Sequence, residues 1–201
     1  MIESCQVSNP QQGIDNIVYR ERILWRDLVA WLNQYLIAKT LKADPEFQKE
    51  ITDKLFIVVE DFGDMMRIFL GDKAADDYTN LFSEYIKLFM SLIDALAEGN
   101  SSNADEIVRQ IYESVGQRAE FLSQVNPFWD KSTLENYIYT LTDMIIRQIL
   151  AFTSKKYKDS TDIYNRILSY STNLGDFLAQ GIKDYLTYTL QPPTTVRPPT
   201  V

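Results

Sequence analysis

Apolar residues recur at three- and four-residue steps along nearly the whole chain, and no segment sustains the two-residue alternation of a half-buried strand. The pattern predicts six helices. The first runs from about Ile14 to Lys42 on a stripe of Ile17, Leu24, Leu28, Trp31 and Tyr35, with Trp25 on its flank. Asp44-Pro45 restarts the chain, because the aspartate accepts hydrogen bonds from free backbone amides and proline fits a first helical position. The second stripe is Phe47, Ile51, Leu55, Val58, Phe62, Met65 and Phe69, ended by Gly71. The third is Tyr78, Leu81, Tyr85, Leu88, Leu92 and Leu96, stopped by Gly99.

Ser101 to Asn103 offer caps for a fourth helix, in which Asp105 and Glu106 suit the positive end and Ile107, Ile111, Val115 and Leu122 form the stripe. Asn126-Pro127 breaks it. Ser132-Thr133-Leu134-Glu135 has the form of a capping box opening a fifth helix on Leu134, Ile138, Leu141, Ile145 and Phe152. A sixth follows Asp159 to Thr161 and carries Ile163, Ile167, Tyr170, Leu174, Phe177, Gly181 and Tyr185.

The expected fold is therefore all-α, a single-domain bundle of six helices over residues 14–190, arranged as three hairpins. Residues 1–13 are expected to be a flexible segment, and the Pro-rich residues 191–201 an extended, mobile tail. The even-numbered helices share a weak internal repeat: Asp61-Phe62-Gly63-Asp64, Ser114-Val115-Gly116-Gln117 and Asn173-Leu174-Gly175-Asp176. A glycine inside a helix costs about 1 kcal/mol relative to alanine, so each of the three needs a reason. Either a neighbour packs closely against it, or the glycines open space for a ligand.

Composition narrows the chemistry. At 201 residues the chain is long enough for a sizeable core without staples. A net charge of −8 supplies no basic face for phosphates or anionic lipids, so neither nucleic acid nor membrane is an expected partner. The lone Cys5 cannot form an intrachain disulfide, and the N-terminus lacks the order of a signal peptide, which together suggest a cytoplasmic protein. Histidine is absent, which removes the usual general base at neutral pH and the commonest metal ligand. Ser-His-Asp and Cys-His sites, zinc-protease helices and Glu-x-x-His di-iron sites are all excluded.

Carboxylates remain. Glu60, Asp61 and Asp64 cluster on the second helix, and Glu50-Ile51-Thr52-Asp53 has a spacing seen at magnesium sites, though such spacings read first as a solvated face. Among twelve tyrosines, Tyr35, Tyr85, Tyr137 and Tyr170 lie on or beside the stripes, where a phenol fills core or lines a polar-tipped pocket. Trp129 is expected to seal one end of the bundle, Arg166 to reach solvent and Met65-Met66 to fill core. Pocket candidates are Trp31, Tyr35, Asp61, Glu84, Tyr85 and Tyr170; no catalytic residue, metal ligand or cofactor is assigned.

Three segments, Leu24-Trp25-Arg26-Asp27-Leu28-Val29-Ala30-Trp31, Glu60-Asp61-Phe62-Gly63 and Phe121 to Trp129 with its Asn-Pro-x-Trp element, resemble a family of small bacterial helical proteins of uncharacterised activity. The resemblance spans about Leu24 to Ile182. Some members are named glycosyltransferase, which no residue here supports. The family pattern places histidines at positions matching Leu28, Tyr85, Leu141 and Tyr170, amides where this chain has Val58 and Val59, and an Asp-Glu pair at Gly116-Gln117. Only Glu84 and Asp61 remain. The resemblance thus implies a family bundle able to hold a polar or metal centre, and a divergent member that has exchanged it for apolar and aromatic packing. The expected function is a non-catalytic module binding a protein partner or a small apolar ligand. The alternative is a metal-binding or enzymatic bundle built on carboxylates such as Asp61, Glu84 and Asp176, and self-assembly into a homo-oligomer is a third outcome.

Overall fold

The computed structural model describes residues 10–190, and the expected tail at 191–201 and most of the expected N-terminal segment lie outside them. Six helices account for nearly all of the described chain: α1 (Pro10–Thr40), α2 (Pro45–Leu70), α3 (Asp72–Ala97), α4 (Ala104–Val125), α5 (Lys131–Thr153) and α6 (Tyr157–Leu190). A short 3-10 turn, Ser101–Asn103, precedes α4. The first helix starts at Pro10, four residues before the expected Ile14, because a proline at the first position needs no amide partner.

Caps follow local chemistry where the sequence is explicit. Asp44 accepts a hydrogen bond from the Glu46 amide at 2.8 Å and Pro45 opens α2. Gly71, at φ 79°, is the single residue between α2 and α3, and this left-handed backbone explains the glycine. The expected capping box at Ser132 is displaced: Asp130 caps α5 by accepting from the Thr133 amide at 2.8 Å, which puts Ser132 inside the helix. Asn103 makes no side-chain cap on α4, against expectation. Helix α6 begins at Tyr157, before Asp159.

The odd-numbered helices end alike. Lys42 (φ 54°), Gly99 (φ 76°) and Lys155 (φ 61°) are left-handed, and the residue after each donates its amide hydrogen to the carbonyl of Ala38, Ala95 or Ala151 at 2.8–2.9 Å. This is the six-to-one bond of a helix stop.

Each even helix packs on two odd helices: α2 on α1 and α3, α4 on α3 and α5, and α6 on α5 and, closing the ring, on α1. The odd helices also touch one another, most extensively α1 and α3. The hairpins are therefore not separable units; each even helix binds the next hairpin as fully as its own. The core is continuous across all six helices and holds an aromatic cluster of Trp25, Phe62 and Phe82 with ring centroids 5.1–5.7 Å apart. Trp25 is buried and Trp31 only half-buried, the reverse of the expected assignment, because the covered face of α1 runs through Leu24, Trp25, Leu28, Val29 and Leu32. Phe47, expected in the α2 stripe, is exposed at the outer end of that helix.

The mid-helix glycines divide by environment. A Cβ at Gly63 would overlap the Thr79 side chain of α3, and one at Gly175 would stand 3.1 Å from the Glu21 carbonyl group of α1. Close helix approach accounts for both. Gly116 has nothing within 4 Å of that position among the described residues. Gly116→Ala should accordingly stabilise by about 0.5–1 kcal/mol, raising the melting temperature by a few degrees, while Gly175→Ala should lower it. Calorimetry on the two variants checks the contrast. Equal and opposite packing costs at Gly116 would mean that a side chain closes over it.

Candidate functional site

Two charged residues lie in the interior. Glu21 on α1 and Arg118 on α4 both have no exposed surface. Each occupies a skipped turn of an apolar stripe: Glu21 between Ile17 and Leu24, Arg118 between Val115 and Leu122. Gln148 fills the same kind of gap between Ile145 and Phe152, and it is satisfied, donating from Nε2 to Asn33 Oδ1 at 2.6 Å while its carbonyl accepts from Ser160 Oγ at 3.4 Å.

Glu21 and Arg118 are not satisfied. Both carboxyl oxygens of Glu21 and all three guanidinium nitrogens of Arg118 lack a hydrogen-bond partner among the described residues, as do Trp25 Nε1 and the Tyr78 hydroxyl. Native interiors leave few buried polar atoms unpaired, and a buried unpaired charge costs several kcal/mol, so such a cluster calls for an explanation.

The helices bring the groups to one level. Trp25 follows Glu21 by one turn of α1, and Tyr78, Phe82 and Tyr85 form one face of α3. The Arg118 guanidinium carbon lies 4.2 Å from the Phe82 ring centre and 4.4 Å from that of Tyr85, over rings 6.2 Å apart and tilted by 33°. The two rings cradle the cation and offset part of its desolvation, by about 2 kcal/mol for a contact shielded from water. The Tyr85 hydroxyl lies 2.6 Å from Thr142 Oγ1, which donates in turn to the Ile138 carbonyl at 2.7 Å, tying α3 to α5 beside the cation.

Burial raises the Glu21 carboxyl to about 8, opposed by the nearby Trp25 indole and more weakly by Arg20. At neutral pH Glu21 is therefore mostly a neutral acid, and a hydrogen-bond donor. The Tyr78 hydroxyl is also pushed up, first by burial; nearby Arg118 acts against that rise and Glu21 adds to it. Tyr78 thus stands within the influence of both charges. No carboxylate accepts a hydrogen bond from the Arg118 guanidinium among the described residues.

Of the pocket candidates, only Tyr85 belongs to this centre. Tyr35 is buried with its hydroxyl donating to Asp94 at 2.9 Å, and it is Asp94, with Lys39, Lys42 and Gln48, that lines a surface cleft of about 240 Å³. Trp31 is half-buried. Tyr170 packs on Tyr137, which stacks on Phe177 in the groove between α5 and α6. Asp61 and Glu84 are exposed, and Glu84 accepts from Lys87 at 2.6 Å; neither faces the interior. Glu50 and Asp53 likewise lie on a solvated face, where Asp53 pairs with Lys49. Arg166 reaches solvent as expected.

The positions where the resembled family pattern has histidine hold buried Leu28, Tyr85 and Leu141 and half-buried Tyr170. A surface cleft of about 430 Å³ between α2 and α3 is lined by Glu60, Asp64, Arg67, Asp76, Thr79 and Asn80, with Arg67 already paired to Asp76 at 2.9 Å and Asp72 at 3.1 Å. Among the described residues no three His, Cys, Asp or Glu side chains gather where they could hold a metal ion, and no helix is long and apolar enough to cross a membrane. No protein-family model, curated protein or solved structure matches the chain.

Proposed function

We propose that this protein is a non-catalytic helical bundle that binds a small ligand at its centre, with Arg118 as the anchor. The observation that carries the reading is a fully buried guanidinium whose three nitrogens lack partners among the described residues. A bound polar group would supply the missing hydrogen bonds and lower the desolvation cost, which an apolar core alone does not. An apolar ligand is less well served. The space between α1, α5 and α6 that Val29, Leu32, Leu36 and Ile145 line together with the polar Asn33 and Gln148 is about 10 Å³, hardly room for one water.

The carboxylate alternative finds its residues dispersed. Asp61 and Glu84 are on the outer faces of α2 and α3, and Asp176 pairs with Arg22 across α6 and α1. The acidic exterior serves solubility, in keeping with a cytoplasmic role. Within this proposal, the motifs resembling the bacterial helical family mark a relative in which aromatic rings and an arginine occupy the interior where imidazoles would converge.

Native mass spectrometry of the freshly purified full chain tests the reading. Wild-type protein should show a species heavier than the bare chain by one small ligand, absent from Arg118→Met. Bare mass alone in both proteins overturns it, as does an adduct that survives the substitution. Concentration-dependent dimer mass in the same spectra would favour self-assembly instead.

A further inference from the structure

We propose that the Pro-rich residues 191–201 dock on their own bundle as a polyproline-type chain, running back along α6 over aromatic side chains that α6 shares with α5 and with the α4–α5 turn. The inference is independent of the Arg118 centre.

The segment follows Leu190, the last residue of α6, and its sequence has a period of three. On a polyproline helix Pro192, Thr195 and Pro198 fall on one edge, Pro193, Val196 and Pro199 on the next, and Thr194, Arg197 and Thr200 on the third. Two edges are therefore mostly apolar, and the third carries a cation. Proline fixes φ before docking, so such a chain loses less conformational entropy on a surface than a flexible one. Surfaces lined by aromatic rings are its usual docking sites.

Helix α6 offers two aromatic stations. The first is Tyr188 with Phe128 of the α4–α5 turn, rings 6.0 Å apart and tilted by 59°, with 68% and 40% of their residue surfaces exposed. The Phe128 amide donates to Asn126 Oδ1 at 3.0 Å, which fixes the turn beneath the exposed ring. The second station is Phe177 stacked on Tyr137 of α5 with ring centres 5.0 Å apart, both half-buried. Positions 177, 181, 184 and 188 share one face of α6, so the stations lie in line along it.

The spacings agree. Phe177 and Tyr188 differ by eleven positions, roughly 16 Å at the helical rise of about 1.5 Å per residue. Pro192 and Pro198 differ by six, roughly 19 Å at the polyproline rise of about 3.1 Å per residue. The mismatch is about one residue's rise. A chain that reverses after Leu190 thus brings Pro192-Pro193 over Tyr188 and Phe128, and Pro198-Pro199 over Phe177 and Tyr137. Charge agrees as well. Arg197 lies between the proline pairs and Asp184 between the stations, in a protein of net charge −8.

The test is NMR of the full chain labelled at proline. Of its seven prolines, four belong to the segment. The ring protons of Pro192, Pro193, Pro198 and Pro199 should stand upfield of their positions in a free peptide of residues 191–201, because protons over an aromatic face are shielded. Phe128→Ala combined with Tyr188→Ala should return Pro192 and Pro193 to the free-peptide positions; both rings are exposed, so the bundle keeps its fold. Phe177→Leu, which keeps an apolar side chain at a half-buried position, should do the same for Pro198 and Pro199.

Free-peptide positions for all four prolines in the wild-type chain would overturn the proposal and leave the segment to a partner's aromatic groove. Upfield shifts that grow with protein concentration would overturn it in favour of docking on a second copy. Shifts that survive both sets of substitutions would overturn the aromatic track, since the segment would then be held elsewhere.

Discussion

Glu21→Gln is expected to remove a decline in stability that the wild-type protein shows as pH rises from about 5 through 8. Burial raises the Glu21 carboxyl from its ordinary 4.5 to about 8. In the unfolded chain the same group ionises near 4.5. Between the two values the folded state holds a proton that the unfolded state has released, so stability is full below the lower value and falls as pH climbs through the upper one. One pH unit over that window corresponds to about 1.4 kcal/mol, so the whole decline is on the order of 5 kcal/mol at its ceiling.

Glutamine keeps the shape and cannot ionise. The variant and the wild type should have similar urea midpoints near pH 5, and the variant should have the higher midpoint near pH 8.5. The groups around the carboxyl give the opposite outcome a clear meaning. Trp25 and Arg20 favour the ionised form, and Glu21 and Arg118 both lie near enough to Tyr78 to influence its hydroxyl. Wild-type stability that is flat or rising over this range would mean that Glu21 is charged in the folded protein and paired with a cation. Arg118 would then be satisfied from within, and the binding centre would lose its foundation.

Trp129→Ala is the second large effect, and it tests the architecture rather than the site. The indole is buried at the end of α4, and its Nε1 donates to the Leu178 carbonyl at 3.1 Å. Gly181 admits it, since a Cβ there would overlap the pyrrole edge of the ring. Asn126 fixes the turn that presents it, donating from Nδ2 to the Gly181 carbonyl at 3.1 Å and accepting at Oδ1 from the Phe128 amide at 3.0 Å.

Removing the indole leaves a large cavity and deletes its hydrogen bond to the Leu178 carbonyl, costing about 3–5 kcal/mol. A fall in melting temperature of roughly 10 °C is expected for a chain of this length. A fall under about 2 °C would show that this end of the bundle is not closed by Trp129. Gly181→Ala should also destabilise, because its Cβ would overlap the same indole edge whose Nε1 donates to the Leu178 carbonyl.

Much of this architecture is legible in local sequence because its causes are local. Asp44-Pro45, Gly71, Gly99 and Asn126-Pro127 act on backbone groups within a few residues, and each stands at a helix boundary in the structure. Where two local signals compete, as at Asp130 and Ser132, the sequence does not say which wins; the earlier cap does, because it lets α5 include Lys131. The left-handed stops at Lys42 and Lys155 carry no glycine and so give no warning.

The centre was half visible. Tyr85 is readable as a pocket candidate, whereas Glu21 and Arg118 read as ordinary polar residues in charged helices. The available signal was negative: the apolar stripe skips one turn at Ile17–Leu24 and again at Val115–Leu122, and a charge stands in each gap. A skipped turn has two meanings, a face turning to solvent or a polar residue under cover, and periodicity along one helix does not separate them.

By itself, then, the sequence determined the six helices, most of their boundaries and the absence of imidazole chemistry, since these depend on spacing, caps and composition. Which faces are covered was decided only in the tertiary structure. Helix α1 packs against α2, α3, α5 and α6, so a position that would be solvated on a peripheral helix is enclosed at Glu21. Burial is a property of the neighbours a helix acquires, and it is burial that turns a glutamate and an arginine from surface charges into a centre with unmet hydrogen bonds.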